Sequence, residues 1–299
     1  YRIKNGPLGT LEEVLLVKGF SGRDVFGEDA NRNGLLEPNE DDGDESFPPD
    51  DRDGRLDLGL RGVATPLAYE PDVAADGSPR VNINAAGEDE IRALADVPGL
   101  GEELVTFLLA ARKQKVPFPD PSALLGMRIE VEQKRRGRGR RRFTVKRELS
   151  SGVTADNLDA ALDQLTAGGV QLMGRQMLIG RVNVHTAPRE VLAAVPGLDG
   201  ETADRIITAR GELDSASART VAWLYTQNIL SRQAFKKVAP RLTARGFQYR
   251  VRSFGYRPGG GRFCVLEAVV DLAGGEPRIR YLRRLTRLGV PLTPIGQER

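Results

Sequence analysis

Two stretches of this chain repeat one another. Residues 81–112 read VNINAAGEDEIRALADVPGLGEELVTFLLAAR, and residues 182–210 read VNVHTAPREVLAAVPGLDGETADRIITAR. Each copy runs from Val-Asn through an apolar helix, Val-Pro-Gly-Leu and a second helix to a closing Ala-Arg. The spacing from Pro98 to Arg112 equals that from Pro196 to Arg210. Ahead of the turn the first copy is longer by three residues, 81 to 98 against 182 to 196. That is close to one helical turn, so the apolar face keeps its register. No other feature limits the fold as much as this self-match.

The pattern predicts two helices joined by a tight turn, the arrangement of a helix-hairpin-helix motif. Pro98 and Pro196 end the first helices, and Gly99 and Gly197 supply the backbone freedom of the turn. Ile91, Leu94 and Val97 should face Leu104, Leu108 and Leu109, with Val191, Leu192 and Val195 against Ile206 and Ile207 in the second copy. Thr186 is placed to cap the second copy's first helix, with Pro188 early in it. Many such units grip nucleic-acid phosphates with hairpin N–H groups. Here Glu102 and Glu103 follow one turn, and Asp199 and Glu201 flank the other, so phosphate would be repelled. A packing or protein-contact role is therefore favoured over DNA binding. Asn82 and Asn183 are read as holding the entry turns. His185 stands where the first copy has Asn84, which makes it a turn residue rather than a catalytic one.

Residues 29–40, DANRNGLLEPNE, match the calcium-loop pattern D-x-[DN]-x-[DN]-G-x5-E at every position. Calcium takes hard oxygen ligands. Asp29, Asn31 and Asn33 would supply side-chain oxygens, Leu35 its carbonyl, Glu37 a ligand either direct or through water, and Glu40 a bidentate carboxylate. Pro38 and the acidic, Pro-rich tract Asp41 to Asp50 argue against a long exiting helix, so the ion would staple structure rather than switch it. Asp51, Asp53 and Asp57 around Gly54 resemble half of a second loop. Pro49 sits where its first ligand belongs, which leaves Asp50, Asp41, Asp42 or Asp44 to fill that place.

Composition narrows the chemistry. One cysteine, Cys264, excludes an internal disulfide framework and a multi-Cys zinc site. One histidine, His185, excludes two-histidine metal sites and leaves any His-dependent triad a single option. There is no GxxxxGK[ST] and no strand-led GxGxxG, so an enzyme is not expected. A hydrolase built on Asp51, Asp53 and Asp57 around a metal is the weakest reading. With 299 residues, 40% hydrophobic and 28% charged, the chain suits about two globular domains. Net charge is only +3, but it is segregated: residues 23–57 are acidic and 134–147 basic. No apolar run reaches the ~20 residues of a membrane helix. The start at Tyr1 is read as that of a fragment whose export signal or anchor lies upstream.

Elsewhere, residues 10–19 read as a short helix with a Thr10…Glu13 capping box, and 118–127 as a turn into a short helix. RIEVEQ and FTVKRE flank the tract from Lys134 to Arg142 and predict a β-hairpin with a basic tip, suited to anionic lipid, nucleic acid or an acidic partner. Residues 154–166 and 220–238 read as helices. FQYRVRSFGYR, RFCVLEAVVDLA and RIRYLRRLTRL predict an antiparallel meander, with turns at Gly259-Gly260-Gly261 and Gly274-Gly275 and with Cys264 as a small buried residue. Three strands need a helix to cover their apolar face, and no helix of this chain is an obvious candidate.

YRIKNGPLGTLEEVLLVKGF, the VNINAA unit, GRVNVHTAPREVLAAVPGL and the aromatic meander, in that order, resemble the type II secretion minor pseudopilin K family over nearly the whole chain. The resemblance implies an anchoring membrane helix upstream, a pilin-type meander, a large helical insertion and calcium binding. It also implies a place at the tip of the pseudopilus beside other minor pseudopilins. The expected fold is α+β: a mainly helical domain with two helix-hairpin-helix units and a C-terminal antiparallel meander. The segments would be 1–80 with the acidic loop, 81–180 with the first unit and basic hairpin, 181–240 with the second unit, and 241–292 with the meander. The expected function is non-enzymatic, in protein export through contacts with other minor pseudopilins, in the periplasm and anchored in the inner membrane. The alternative is a DNA-binding helix-hairpin-helix protein of the envelope, of the DNA-uptake type.

Overall fold

The computed structural model describes residues 6–136, 142–257 and 263–288, with only the backbone given for 133–136 and 142–145. Arg138, Arg140 and Arg141 of the basic tract and the Gly259-Gly261 turn lie outside the described residues. By compactness the chain divides into two units, one of residues 69–246 and one of residues 1–68 with 247–299.

In the unit of residues 69–246 the repeat extends further than its sequence match. The first copy has strand Val81–Asn82, helix Glu88–Ala93 and helix Glu102–Lys113; the second has strand Val182–Asn183, helix Arg189–Ala193 and helix Gly200–Arg210. Each copy then gains a third helix, Leu158–Gln164 or Arg232–Val238. That helix delivers a Leu-Thr strand, Leu165–Thr166 or Leu242–Thr243, which pairs in parallel with the copy's own Val-Asn strand. Val153, Leu158, Ala161 and Leu165 thus stand where Leu230, Phe235, Val238 and Leu242 stand, and all eight are buried. Little sequence identity survives because burial demands only apolar volume at these positions.

The copies interlock through equivalent residues. Asp159 on the first copy's third helix accepts a 2.6 Å bond from Thr220 of the second copy. Lys236, in the matching place on the second copy's third helix, donates to the Ala123 carbonyl of the first at 2.9 Å. One continuous apolar core results, with Trp223, Phe107, Phe235, Ile91 and Leu94 fully buried. The closing Arg of each copy has a defined role. Arg210 donates to the carbonyl of Ala187 at 2.7 Å, and Arg112 bonds the carbonyl of the equivalent Ala86.

The basic hairpin is present as antiparallel strands Arg128–Arg136 and Arg142–Ser150, carried in the longer connection of the first copy. A second, unforeseen sheet pairs Tyr69–Pro71 with Arg175–Ile179 and the latter with Val170–Leu172. These pieces overturn the expectation of a mainly helical domain. Helix accounts for 31% and strand for 21%, with five helices of substance among the described residues. The unforeseen strands are only two to five residues long, too short to show a readable period. Two helices are shorter than their sequence suggests. The one expected at 154–166 begins at Leu158, since Asn157 Oδ1 takes the Thr154 N–H at 2.8 Å and holds that turn open. The one expected at 220–238 is split into Trp223–Thr226 and Arg232–Val238, with Asn228 at φ 57° between them.

In the other unit a 3-10 helix, Leu11–Leu16, follows Thr10, and Glu13 Oε1 accepts the Gly9 and Thr10 N–H groups. The meander runs Gln248–Tyr256, Phe263–Asp271 and Arg278–Arg284, with the second strand central. Its faces differ. One carries the rows Tyr249–Val270–Ile279 and Val251–Ala268–Leu282, and Tyr249, Val251, Leu266, Ile279 and Leu282 on it are exposed. The other carries the row Arg252–Glu267–Arg283, beside the buried Val265. Cys264 is half-buried rather than buried, because Gly255 opposite leaves its side uncovered.

Candidate metal centre

The 29–40 segment folds as a closed loop around its own oxygens. It lies between the five-residue helix Gly22–Phe26 and a single 3-10 turn, Pro38–Glu40, in keeping with the absence of a long exiting helix. Asp29 Oδ1 accepts the Asn33 N–H and Oδ2 the Gly34 N–H, each at 2.9 Å. Asn31 Oδ1 takes the Asn33 N–H at 2.8 Å, and Asn33 Oδ1 the Leu35 N–H at 2.7 Å. Glu40 closes the loop, with Oε1 on the Ala30 N–H at 3.0 Å and Oε2 on the Glu37 N–H at 3.1 Å. Glu37 is held by the amides of Asn31 at 2.7 Å and Asn33 at 3.0 Å. Hydrogen bonds within the loop thus link Asp29, Asn31, Asn33, Glu37 and Glu40, and Leu35 joins them through its N–H.

The residues fit a hard cation. Asp29 and Glu40 are each 1% exposed; Asp29 is paired with Arg61, while Glu40 is met by the Ala30 and Glu37 N–H groups, and a buried charge without a charged partner is costly. Burial raises the Glu40 carboxyl above its ordinary value, and the charges of Asp29 and Glu37 add to the rise, against bonds from the Glu37 and Ala30 N–H groups. A divalent ion would offset this repulsion. Among the described residues no group of three His, Cys, Asp or Glu stands ready to hold a metal. The oxygen set of this loop draws instead on two asparagines and a carbonyl as well as carboxylates.

The loop is seated on the meander by contacts that no local pattern announces. Arg283 bonds the carbonyl of Arg32 at 2.8 Å and that of Asn31 at 3.3 Å. Asn33 Nδ2 donates to the Leu288 carbonyl at 2.6 Å. Arg61 donates to Asp29 at 3.2 Å and to Glu267 at 3.4 Å, while Arg252 also reaches Glu267 at 3.0 Å. Burial works against the Glu267 charge, but the guanidinium groups of Arg252, Arg61 and Arg250 outweigh it and hold that carboxyl below its usual value. Because Arg61 and Glu267 lie far apart in sequence, only the fold could identify them.

The half-loop around Asp51, Asp53 and Asp57 copies the first in part. Asp51 accepts the Asp53 N–H at 3.2 Å and Asp53 the Arg55 N–H at 2.8 Å, repeating the bonds of Asn31 and Asn33. Gly54 and Gly34 share φ near 72° and 71°, and Arg52 and Arg32 share positive φ of 55° and 62°. Asp41 accepts the Gly54 N–H at 3.1 Å, as Asp29 accepts that of Gly34. Asp50 is instead engaged by the N–H groups of Asp42, Gly43 and Arg52. Asp57 turns to the Gly59 N–H at 2.8 Å. Glu28, which the sequence reading passed over, is buried nearby and accepts the Asp57 N–H at 3.3 Å. Unlike the first loop, this one leaves Asp41, Asp51, Asp53 and Asp57 exposed.

The hairpin turns are built for packing. Gly99 and Gly197 have φ of 86° and 105°, and a methyl on them would meet Ala160 at 3.1 Å and Val238 at 2.9 Å, both on third helices. Beyond Pro98 and Pro196 the following leucines, Leu100 and Leu198, are buried. Asp199 caps its helix by accepting the Thr202 N–H at 2.7 Å, which puts a carboxylate where a phosphate would dock. His185 Nε2 meets the Ala218 carbonyl at 3.0 Å, as Asn84 Nδ2 meets that of Phe118 at 2.9 Å. The two residues therefore do the same turn-fastening work. Comparison with protein-family models, with curated proteins and with solved structures gives no match.

Proposed function

We propose that this chain is a non-enzymatic assembly component of the type II secretion pseudopilus tip, with a calcium ion stapling the 29–40 loop. The reading rests on the sequence resemblance and on one structural observation, the unequal faces of the meander. The Arg252–Glu267–Arg283 row is occupied by the acidic loop, while Val251, Leu266, Ile279 and Leu282 are exposed. An open apolar sheet face needs a cover, and an apolar helix is the natural one. In this proposal the membrane-anchoring helix supplies it, and no helix among the described residues is itself long and apolar enough to cross a membrane. The remaining surface of the protein then meets other minor pseudopilins in the periplasm.

Calcium would be held by Asp29, Asn31, Asn33, Leu35, Glu37 and Glu40, where it would add positive charge beside the buried Glu40 carboxylate, which is met by backbone N–H groups. The ion has no catalytic part in this reading. Thermal unfolding with calcium and then with excess chelator tests it. Wild type should melt higher with calcium, and Asp29→Ala and Glu40→Ala should abolish the shift. The assembly reading is tested separately by Ile279→Asp with Leu282→Asp in the full-length protein. Loss of co-purification with the other minor pseudopilins is expected. Unchanged assembly and secretion would sink the proposal, and salt-sensitive DNA binding would favour the envelope DNA-binding alternative.

A further inference from the structure

We infer that Arg61 is a built-in competitor of the ion in the 29–40 loop: its guanidinium neutralises Asp29 and so weakens cation binding, coupling the loop to the meander. This inference rests on reading that loop as a calcium site. Arg61 belongs to the short helix Leu60–Val63, and its side chain is only 11% exposed. One amino group lies 3.2 Å from Asp29 Oδ2 and 3.1 Å from the Arg32 carbonyl, and the other 3.4 Å from Glu267. Asp29 and Glu267 are 1% and 3% exposed, so solvent screens neither contact well.

A second partner of a ligand carboxylate can act in two opposite ways. It can orient the ligand and strengthen binding, or it can lend positive charge and weaken binding. The geometry separates these effects. Both oxygens of Asp29 are already fixed by backbone donors, from Asn33 and from Gly34, each at 2.9 Å. Orientation therefore survives without Arg61, and what remains of its influence is charge. A fixed cation this close to a ligand oxygen repels an incoming divalent ion in a poorly screened setting. Glu267 modulates the effect, because its negative charge draws on the same guanidinium. When the ion binds, the Asp29 charge is satisfied from the other side, and Arg61 is left to Glu267. Loading the loop in this way tightens the hold on the central strand of the meander.

The test is calcium titration by calorimetry on the whole chain carrying Arg61→Met or Glu267→Gln, with circular dichroism to check folding. Arg61→Met should bind calcium about tenfold more tightly than wild type, although its calcium-free form melts lower. Glu267→Gln, which frees the Arg61 charge to act on Asp29, should bind several-fold more weakly. The opposite signs are the signature, and Glu267→Gln carries the test if Arg61→Met does not fold. Unchanged or weakened affinity in Arg61→Met, or unchanged or tightened affinity in Glu267→Gln, would overturn the inference while the calcium site stood. Absence of calcium binding in wild type and both variants would overturn the site and this inference together. Binding that emerges only in Arg61→Met would support the inference while overturning the calcium-stapled loop in the wild type.

Discussion

Replacing Gly197 by alanine isolates the packing that joins each Pro-Gly turn to its third helix. Gly197 has φ of 105°, and an added Cβ would lie 2.9 Å from Val238 Cγ1, closer than real contacts allow. An L-residue in left-handed backbone costs about 1–2 kcal/mol. Crowding a fully buried valine on a packed helix adds about 1–3 kcal/mol. The sum, about 3 kcal/mol, is a large share of the stability of a domain this size. Gly77 provides the control, since its φ is 87° and no atom lies within 4 Å of its Cβ position. Gly77→Ala should lose only the backbone part, about 1–2 kcal/mol. Both residues lie in the same unit as Trp223, the single tryptophan. Urea denaturation followed by its fluorescence therefore reports both losses. Equal losses in the two variants, or a loss below about 1 kcal/mol in Gly197→Ala, would refute the claim that the turn is a packing element.

Other expectations follow from single contacts. Burial lowers the His185 pKa, as does the charge of Arg210, against the bond to the Ala218 carbonyl. The folded state then resists protonation that the unfolded chain accepts near pH 6.5. Stability of that unit should fall as pH drops below about 6.5 and level off below the folded-state value, a slope that His185→Asn removes. A pH-independent melting curve for wild type between 5 and 7.5 would count against it. Arg210→Met removes the bond to the Ala187 carbonyl and should cost about 1 kcal/mol in the same denaturation assay, given partial exposure. Leu158→Ala and Phe235→Ala, at matching buried places on the two third helices, should each cost about 3–4 kcal/mol. A loss below about 1 kcal/mol in either would mean that its helix is not part of the repeat core.

Much was legible in the residues alone. The self-match located both helix-hairpin-helix turns because Pro-Gly and the closing Arg answer to local backbone geometry, which sequence spacing records directly. The loop pattern placed Asp29, Asn31, Asn33 and Glu40 for the same reason: their partners are N–H groups within the loop's own span. The meander was readable from alternation over nine- and seven-residue strands. What tertiary structure alone decided depends on partners distant along the chain. The third helix of each repeat is specified by buried volume, which Leu158 and Phe235 satisfy with different residues. The parallel Leu-Thr strands are too short to show a period, and this is why the chain looked more helical than it is. The bond from the Gly54 N–H to Asp41 spans 13 residues, and no local pattern announces it. Arg61 and Glu267 are ordinary charges in the sequence. The fold buries them together against Asp29, and burial turns an exposed pair of little consequence into a contact able to set an affinity.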